Sequence, residues 1–157
     1  MPGHHLAQLN VGTLSFSLDD PRMHGFTSML DTINALADQA PGFVWRLVGD
    51  GTGDATGVRT ALGDDVLVNM SVWENRDALW DYVYRSGHLD MLRRRADWFQ
   101  LPKAAFQVLW WIPAGHVPTV DEAIERLELL RAHGPSARAF GFRDVYPPGE
   151  AVYVNRA

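Results

Sequence analysis

Two periodicities alternate along this chain of 157 residues, and their order is what most limits its fold. Short runs with a two-residue apolar rhythm predict strands, and longer runs with apolar residues every three or four positions predict helices. His5 to Leu14, carrying Leu6, Leu9, Val11 and Leu14, is a first strand. Asp20 and Pro21 then open a helix, Asp as its N-cap and Pro at its first helical position. Met23, Phe26, Leu30, Ile33 and Ala37 form one face of that helix, and Pro41-Gly42 stops it. Phe43 to Val48 is a second strand, whose alternation puts Phe43, Trp45 and Leu47 on one face and Val44, Arg46 and Val48 on the other. Gly49 to Asp65 is rich in Gly and Asp and predicts a loop. It lacks the Lys-Ser/Thr ending of a phosphate loop and the Glu that closes a calcium loop.

Val66 to Trp73 is a third strand, and Asn75 caps the helix that follows, from Arg76 to about Ser86, where Gly87 interrupts it. A further helical piece runs from His88 to Phe99 and is ended by Pro102. Ala105 to Ile112 is a fourth strand, with Phe106, Val108, Trp110 and Ile112 on one face. Thr119 and Glu122 form a capping box that starts a last helix, closed by Gly134-Pro135. The tail from about Phe140 to Ala157 is aromatic but irregular. The order is therefore β-α-β-β-α-β plus a C-terminal helix: an α+β chain with the ferredoxin-like antiparallel sheet. Val66, Val68, Met70 and Val72 fall on one side of that sheet, and Leu67, Trp73, Leu109 and Trp111 on the other. A sheet apolar on both faces packs against something on each, and the simplest second cover is another copy of the chain related by a two-fold axis.

Nothing in the order suggests more than one domain, so 1–157 reads as a single unit. The net charge of −5 argues against nucleic acid as a partner. No apolar run reaches the roughly 18 residues of a membrane helix, and no signal peptide is legible. The absence of Cys removes disulfides, Cys metal sites and thiol nucleophiles, and suits a reducing cytoplasm.

Candidate chemistry concentrates between Met70 and His116, which holds five of the six Trp. Trp80, Tyr84 and His88 stand at i, i+4 and i+8, so they share a face if the helix continues through Ser86-Gly87. Arg94 or Arg95 and Trp98 follow one to three turns later. His88 titrates near neutral pH and suits a general base, and an Arg beside it would hold a carboxylate, enolate or phenolate. Large aromatics at helical spacing pack a core as readily as they line a pocket, and a run of three Arg is ordinarily a solvated face. Trp110 and Trp111 must point to opposite faces of their strand; one belongs to the core and the other to a pocket or an interface, and Trp110 is carried as the pocket candidate. No HxxxH or HExxH spacing exists, so no metal is expected.

Ser71-Val-Trp-Glu-Asn75, Leu79, Tyr82-Val-Tyr-Arg-Ser86 and His88 together resemble a large bacterial family of dimeric α/β-barrel proteins catalogued as a domain of unknown function. Trp98-Phe99, Leu109-Trp-Trp111, Gly115-His116, Pro118-Thr119, Glu122-Ala123 and Gly134-Pro-Ser136 extend the resemblance, which covers about Leu6 to Tyr146. More distantly the chain is similar to antibiotic-biosynthesis monooxygenases, which also place a Trp at the end of the third strand and a His in the next helix. The resemblance implies the dimeric α/β-barrel fold and a homodimer through the sheet face, and it carries no agreed catalytic residues. Haem-degrading members of the superfamily use an Asn on the first strand with a Trp and a His on the later helix; Asn10, Trp80 and His88 stand in loosely similar places.

The expected function is a small-molecule enzyme, a cofactor-independent monooxygenase or an isomerase, acting on an aromatic or polyketide-like substrate. Its catalytic group would be His88, with Asn10, Trp80, Tyr84, Arg94, Arg95, Trp98 and Trp110 binding substrate. No cofactor is expected. The alternative is a non-enzymatic module that binds an apolar ligand or haem.

Overall fold

The computed structural model describes residues 3–49 and 54–148. Four strands form one antiparallel sheet in the order β2-β3-β1-β4: β1 is His4–Thr13, β2 Phe43–Arg46, β3 Val66–Trp73 and β4 Gln107–Pro113. The helices are α1 (His24–Thr27), α2 (Leu30–Gln39), α3 (Arg76–Arg85), α4 (His88–Arg93) and α5 (Val120–His133). The ferredoxin-like order expected from the periodicities is the order observed. Strand β1 sits at the centre, with Gln8 opposite Ser71 and Asn10 opposite Asn69 on one side, and Ala7 opposite Trp110 on the other.

Local chemistry accounts for most element boundaries. Asn75 Oδ1 accepts the Ala78 N–H at 2.9 Å and starts α3, a cap that contributes about 1 kcal/mol. Thr119 Oγ1 does the same for the Glu122 N–H at 3.1 Å at the head of α5. Only half of the expected capping box forms, because the Glu122 carboxylate turns away to accept from Trp110 and His116. The first helical stretch is not continuous. It is a short 3-10 turn over Pro21–Met23, then α1, then α2 after a break at Ser28 and Met29. Gly25 lies in α1 where a Cβ would stand 3.3 Å from the Trp98 ring and 3.1 Å from Arg94, so this segment is shaped by packing against the later helices.

One face of the sheet carries Leu9, Val68, Met70, Val72, Val108 and Trp110, and α5 lies on it through Ala123, Leu127 and Leu130. Val58 and Leu62, from the chain between β2 and β3, cover the rest. The cover that the sequence assigns to a second copy is thus supplied within the chain, and Val66, Val68, Met70 and Val72 are all buried without a partner.

Strand β2 departs from the expected alternation. Phe43 pairs with Trp73 and Trp45 with Val72, so Val44 is an extra residue in the ladder, a β-bulge. Phe43 packs against Trp73 on the α3 side, whereas Trp45 and Leu47 pack on the α5 side. The expected common face of Phe43, Trp45 and Leu47 is split by that one residue. The tail differs too. Phe140, read as irregular, exchanges two backbone hydrogen bonds with Leu109 at the outer edge of β4 and is fully buried. Residues 149–157 of that tail, and 50–53 of the expected loop, lie outside the described residues.

Candidate functional site

The other face of the sheet is where polar residues replace apolar ones. Along β1, Leu6, Gln8, Asn10 and Gly12 point the same way, and Asn69 and Ser71 meet them from β3. Gln8 is almost fully buried, yet its amide is fully used. Its Nε2 donates to Asn69 Oδ1 and to Ser71 Oγ, both at 2.8 Å, and its Oε1 accepts from Asn10 Nδ2 at 3.3 Å. Trp73 Nε1 also donates to Ser71 Oγ, at 2.8 Å. Asn69 Oδ1 accepts a second bond from Asn10, at 3.3 Å. Both lone pairs of the Ser71 hydroxyl are therefore taken, and its O–H must donate elsewhere. The Asn69 amide N–H groups likewise have no partner among the described residues. An apolar side chain buried at such a position would add roughly 1.5–3 kcal/mol of stability. A polar ladder there forgoes that stability and presents hydrogen-bond donors instead.

Between this ladder and the helices lies a cavity of about 200 Å³. Its floor is Gln8, Asn10, Asn69, Ser71 and Gln107; its walls include Phe26 and Ile33 from the first helical stretch, Val83, His88 and Met91 from α3 and α4, and Trp98 and Phe99 beyond. An engineered apolar cavity of about 150 Å³ binds benzene, so this one suits a molecule of one or two rings.

His88 reaches the cavity by a turn at the place where the sequence sets the break in the helix, at Ser86 and Gly87. Helix α3 ends at Ser86, whose backbone is extended. Its hydroxyl donates to the Tyr82 carbonyl and accepts the His88 N–H at 3.2 Å. A Cβ on the following Gly87 would stand 2.9 Å from Leu36, so glycine there lets the corner sit against α2. The imidazole then turns inward, 4.9 Å from the Tyr82 ring, with Nδ1 3.3 Å from the Val83 carbonyl. A carbonyl only accepts, so Nδ1 carries the hydrogen and Nε2 the free lone pair. Burial pushes the His88 pKa below its ordinary value, against the opposing bond to Val83, and the ring stays neutral at neutral pH. Tyr82 stacks on Trp73 at 5.0 Å and donates to the Ile33 carbonyl at 3.1 Å. Burial raises its pKa, so it is a neutral wall rather than an acid near pH 7.

That depressed value links His88 to stability. In the unfolded chain the ring takes up a proton as pH falls through about 6.5, while in the folded chain it resists until lower pH. Stability is therefore complete above the unfolded value and is lost as pH falls towards the folded one. Thermal melts between about pH 7.5 and pH 5 should show a falling melting temperature, and a smaller fall in His88→Gln. Equal falls in both proteins would exclude His88 as the cause.

The other candidates divide. Asn10, Tyr84, His88, Arg95 and Trp98 border the cavity. Trp80 does not: it stacks on Tyr84 at 4.3 Å and meets Phe142 and the Arg76 guanidinium on the outer side of α3. The expected common face of Trp80, Tyr84 and His88 fails because the helix ends before His88. Arg94 also lies outside, over the Trp98 ring at 4.7 Å and paired with Asp97 at 3.2 Å. Trp110 is on the opposite face of the sheet and donates to Glu122 at 2.9 Å. Trp111 is on the cavity side but beyond it, donating to the Tyr146 carbonyl at 2.8 Å. Burial pulls the Glu122 carboxyl up, but the bonds from His116 and Trp110 outweigh it and hold the pKa low. No group of three metal-ligating side chains occurs among the described residues.

Gln8, Asn69, Ser71 and Gln107 line the cavity and are not among the residues expected there from the sequence. Their signal was present: polar residues at alternating positions of strands that are otherwise apolar.

The family described as "Domain of unknown function (DUF3291)" matches residues 5–156. The chain belongs to that family. No curated protein matches this DUF3291 chain. Among solved structures, it is similar to a point mutant of SnoaB, a cofactor-independent oxygenase from Streptomyces nogalater. That likeness has 17% identity and a TM-score of 0.47 over 72% of this chain and 95% of that one. A conserved protein from Methanosarcina mazei Go1 aligns with 9% identity and a TM-score of 0.47 over 69% and 90%. Rv0793 from Mycobacterium tuberculosis aligns with 14% identity and a TM-score of 0.45 over 74% and 98%. At these identities the likenesses carry neither substrate nor residue roles to the DUF3291 chain.

Proposed function

We propose that this protein is an enzyme that removes a proton from a small aromatic or polyketide-like ketone, as a cofactor-independent monooxygenase or an isomerase would. The division of hydrogen-bonding roles around the cavity carries this reading: donors on the floor at Ser71 and Asn69, and a neutral base in the wall at His88. Nε2 of His88 takes a proton from a carbon next to the carbonyl and becomes imidazolium, while the C–H electron pair moves onto the carbonyl oxygen. The Ser71 O–H and the Asn69 amide N–H groups would stabilise the charge as it develops on that oxygen. Returning the proton to another atom completes an isomerisation. Molecular oxygen, as oxidant, would instead add to that carbanion to form a carbon–oxygen bond; the peroxide takes back the proton from His88, and the hydroperoxide breaks its O–O bond and loses the second C–H proton as water, leaving a new carbonyl.

The shared first step is measurable without knowing the natural substrate. Phenylpyruvate and 2-tetralone, with one and two rings, exchange their α-protons with D2O, and NMR follows the exchange. Acceleration over buffer supports the reading. Binding without acceleration makes the protein a non-enzymatic module for apolar ligands, and neither binding nor acceleration rejects the cavity as the site. The reading includes a homodimer, as the family resemblance implies. With the face under α5 closed, the two copies would meet through other surfaces, and sedimentation velocity reads their association. It also places the chain in the cytoplasm, which suits a sequence without Cys. No helix among the described residues is long and apolar enough to cross a membrane.

A further inference from the structure

Arg95, expected from the sequence to bind substrate, stands in the cavity wall. It follows α4 in a short 3-10 turn and is more than half withdrawn from solvent, enough to lower its pKa by burial. Its Nη2 donates to the Val11 carbonyl at 2.9 Å. Its guanidinium lies over two rings, 5.0 Å from the centre of Phe99 and 4.5 Å from that of Phe106. Gly12 makes room for it: a Cβ there would stand 2.6 Å from the Phe99 ring and 3.2 Å from Arg95 Nη2. No carboxylate pairs with Arg95 among the described residues, whereas its neighbour Arg94 has Asp97, and Arg46, also in the wall, has Asp38 at 2.8 Å.

A withdrawn guanidinium stays protonated, since its pKa far exceeds physiological pH. A charge taken out of water is normally offset by an opposite charge, because the loss of hydration is otherwise uncompensated. Here the aromatic faces offset part of it and a single carbonyl takes one of five N–H donors. The remaining donors are held in a fixed plane by the two rings and the Val11 bond, an arrangement suited to two parallel bonds to a carboxylate.

We propose that Arg95 is an anion seat and that the ligand of this cavity is an aromatic carboxylate. The acid group sits on Arg95 at the Gly12 end, and the ring system extends over the Asn10–Asn69 ladder towards His88. Tyr82 stacks on Trp73 and His88 meets the Tyr82 ring at a tilt, so His88 belongs to the Trp73 end of the ladder, while Gly12 is at the other. Gln8 and Gly12 are four residue steps apart on β1, about 13 Å of strand, which accommodates a two-ring acid lying along it. This inference rests on the reading of the cavity as an aromatic site and adds the charge of its ligand.

The test pairs 1-hydroxy-2-naphthoate with 1-hydroxy-2-naphthamide, which share a shape and differ in charge, and measures both by isothermal titration calorimetry. The acid should bind about 10- to 100-fold more tightly than the amide, the range for hydrogen bonds to a charged group. Arg95→Gln should erase that preference while leaving amide affinity within about threefold, which shows the cavity intact. Equal binding of acid and amide to the unmodified protein overturns the anion seat and leaves the aromatic cavity standing. A preference that survives in Arg95→Gln overturns the role of Arg95. If neither compound binds, both the anion seat and the aromatic site fall. Should Arg95→Gln not fold, Arg95→Lys serves: a preference reduced but not erased supports the seat, and an unchanged one overturns it.

Discussion

Replacing His88 with Gln should slow protein-catalysed α-proton exchange of phenylpyruvate by about 10²- to 10⁴-fold, the usual contribution of a positioned base. Gln is chosen for what it keeps. Its amide N–H can still donate to the Val83 carbonyl, which His88 holds at 3.3 Å, and it still fills the space beside Tyr82. What it lacks is a lone pair basic enough to take a proton from carbon. The pH profile offers a separate check. Burial lowers the His88 pKa below 6.5, so the acid limb of the rate should fall below that value, with a plateau at neutral pH. A variant that exchanges at the parent rate, or a limb centred well above 6.5, would remove His88 from the chemistry.

Trp98→Ala should cost about 3–5 kcal/mol of folding stability, read from urea unfolding. Trp98 is 1% exposed and forms the wall between α1 and the segment after α4. Its ring meets Phe26 at 5.5 Å and carries Arg94 on its face, and its carbonyl accepts the Ser15 N–H at 2.9 Å. The rigid strand on one side and the short helices on the other leave little scope for collapse, so most of the deleted volume would remain as a void. Trp80→Ala provides the contrast. Trp80 is partly exposed and its ring stacks on Tyr84, so its loss should cost nearer the roughly 0.5–1.5 kcal/mol of an aromatic pair plus modest burial. Equal losses for the two would mean that the cavity wall is softer than its packing implies.

What was legible in the sequence was local. The Asn75 and Thr119 caps act within three residues, and the alternation of Val66 to Trp73 is carried by one strand. What was hidden depended on distant partners. Gln8 and Ser71 are 63 residues apart, and only the pairing of β1 with β3 turns two ordinary polar residues into a buried ladder. The fate of Phe140 depended on Leu109 in the same way. His88 borders the cavity, though not by the shared helical face with Trp80 and Tyr84 that its spacing offers. That face requires a helix continuous through Ser86-Gly87, and the Ser86 hydroxyl, competing for backbone groups, ends the helix there. The Trp80 face, assigned to the cavity from the sequence, points outward.

The extra residue at Val44 works as a phase shifter. Upstream of it β2 is in step with the helix side of the sheet, and downstream it is out of step, which is how Arg46 comes to border the cavity while Trp45 supports the opposite layer. Relatives compared position by position would hide this. The same residues in a regular ladder, with Val44 rather than Trp45 opposite Val72, would turn Trp45 towards the cavity and carry Arg46 to the opposite layer, with every letter unchanged. The pairing of one residue at the start of β2, and not the identity of the lining side chains, thus decides whether this strand offers the chamber a cation or an aromatic ring.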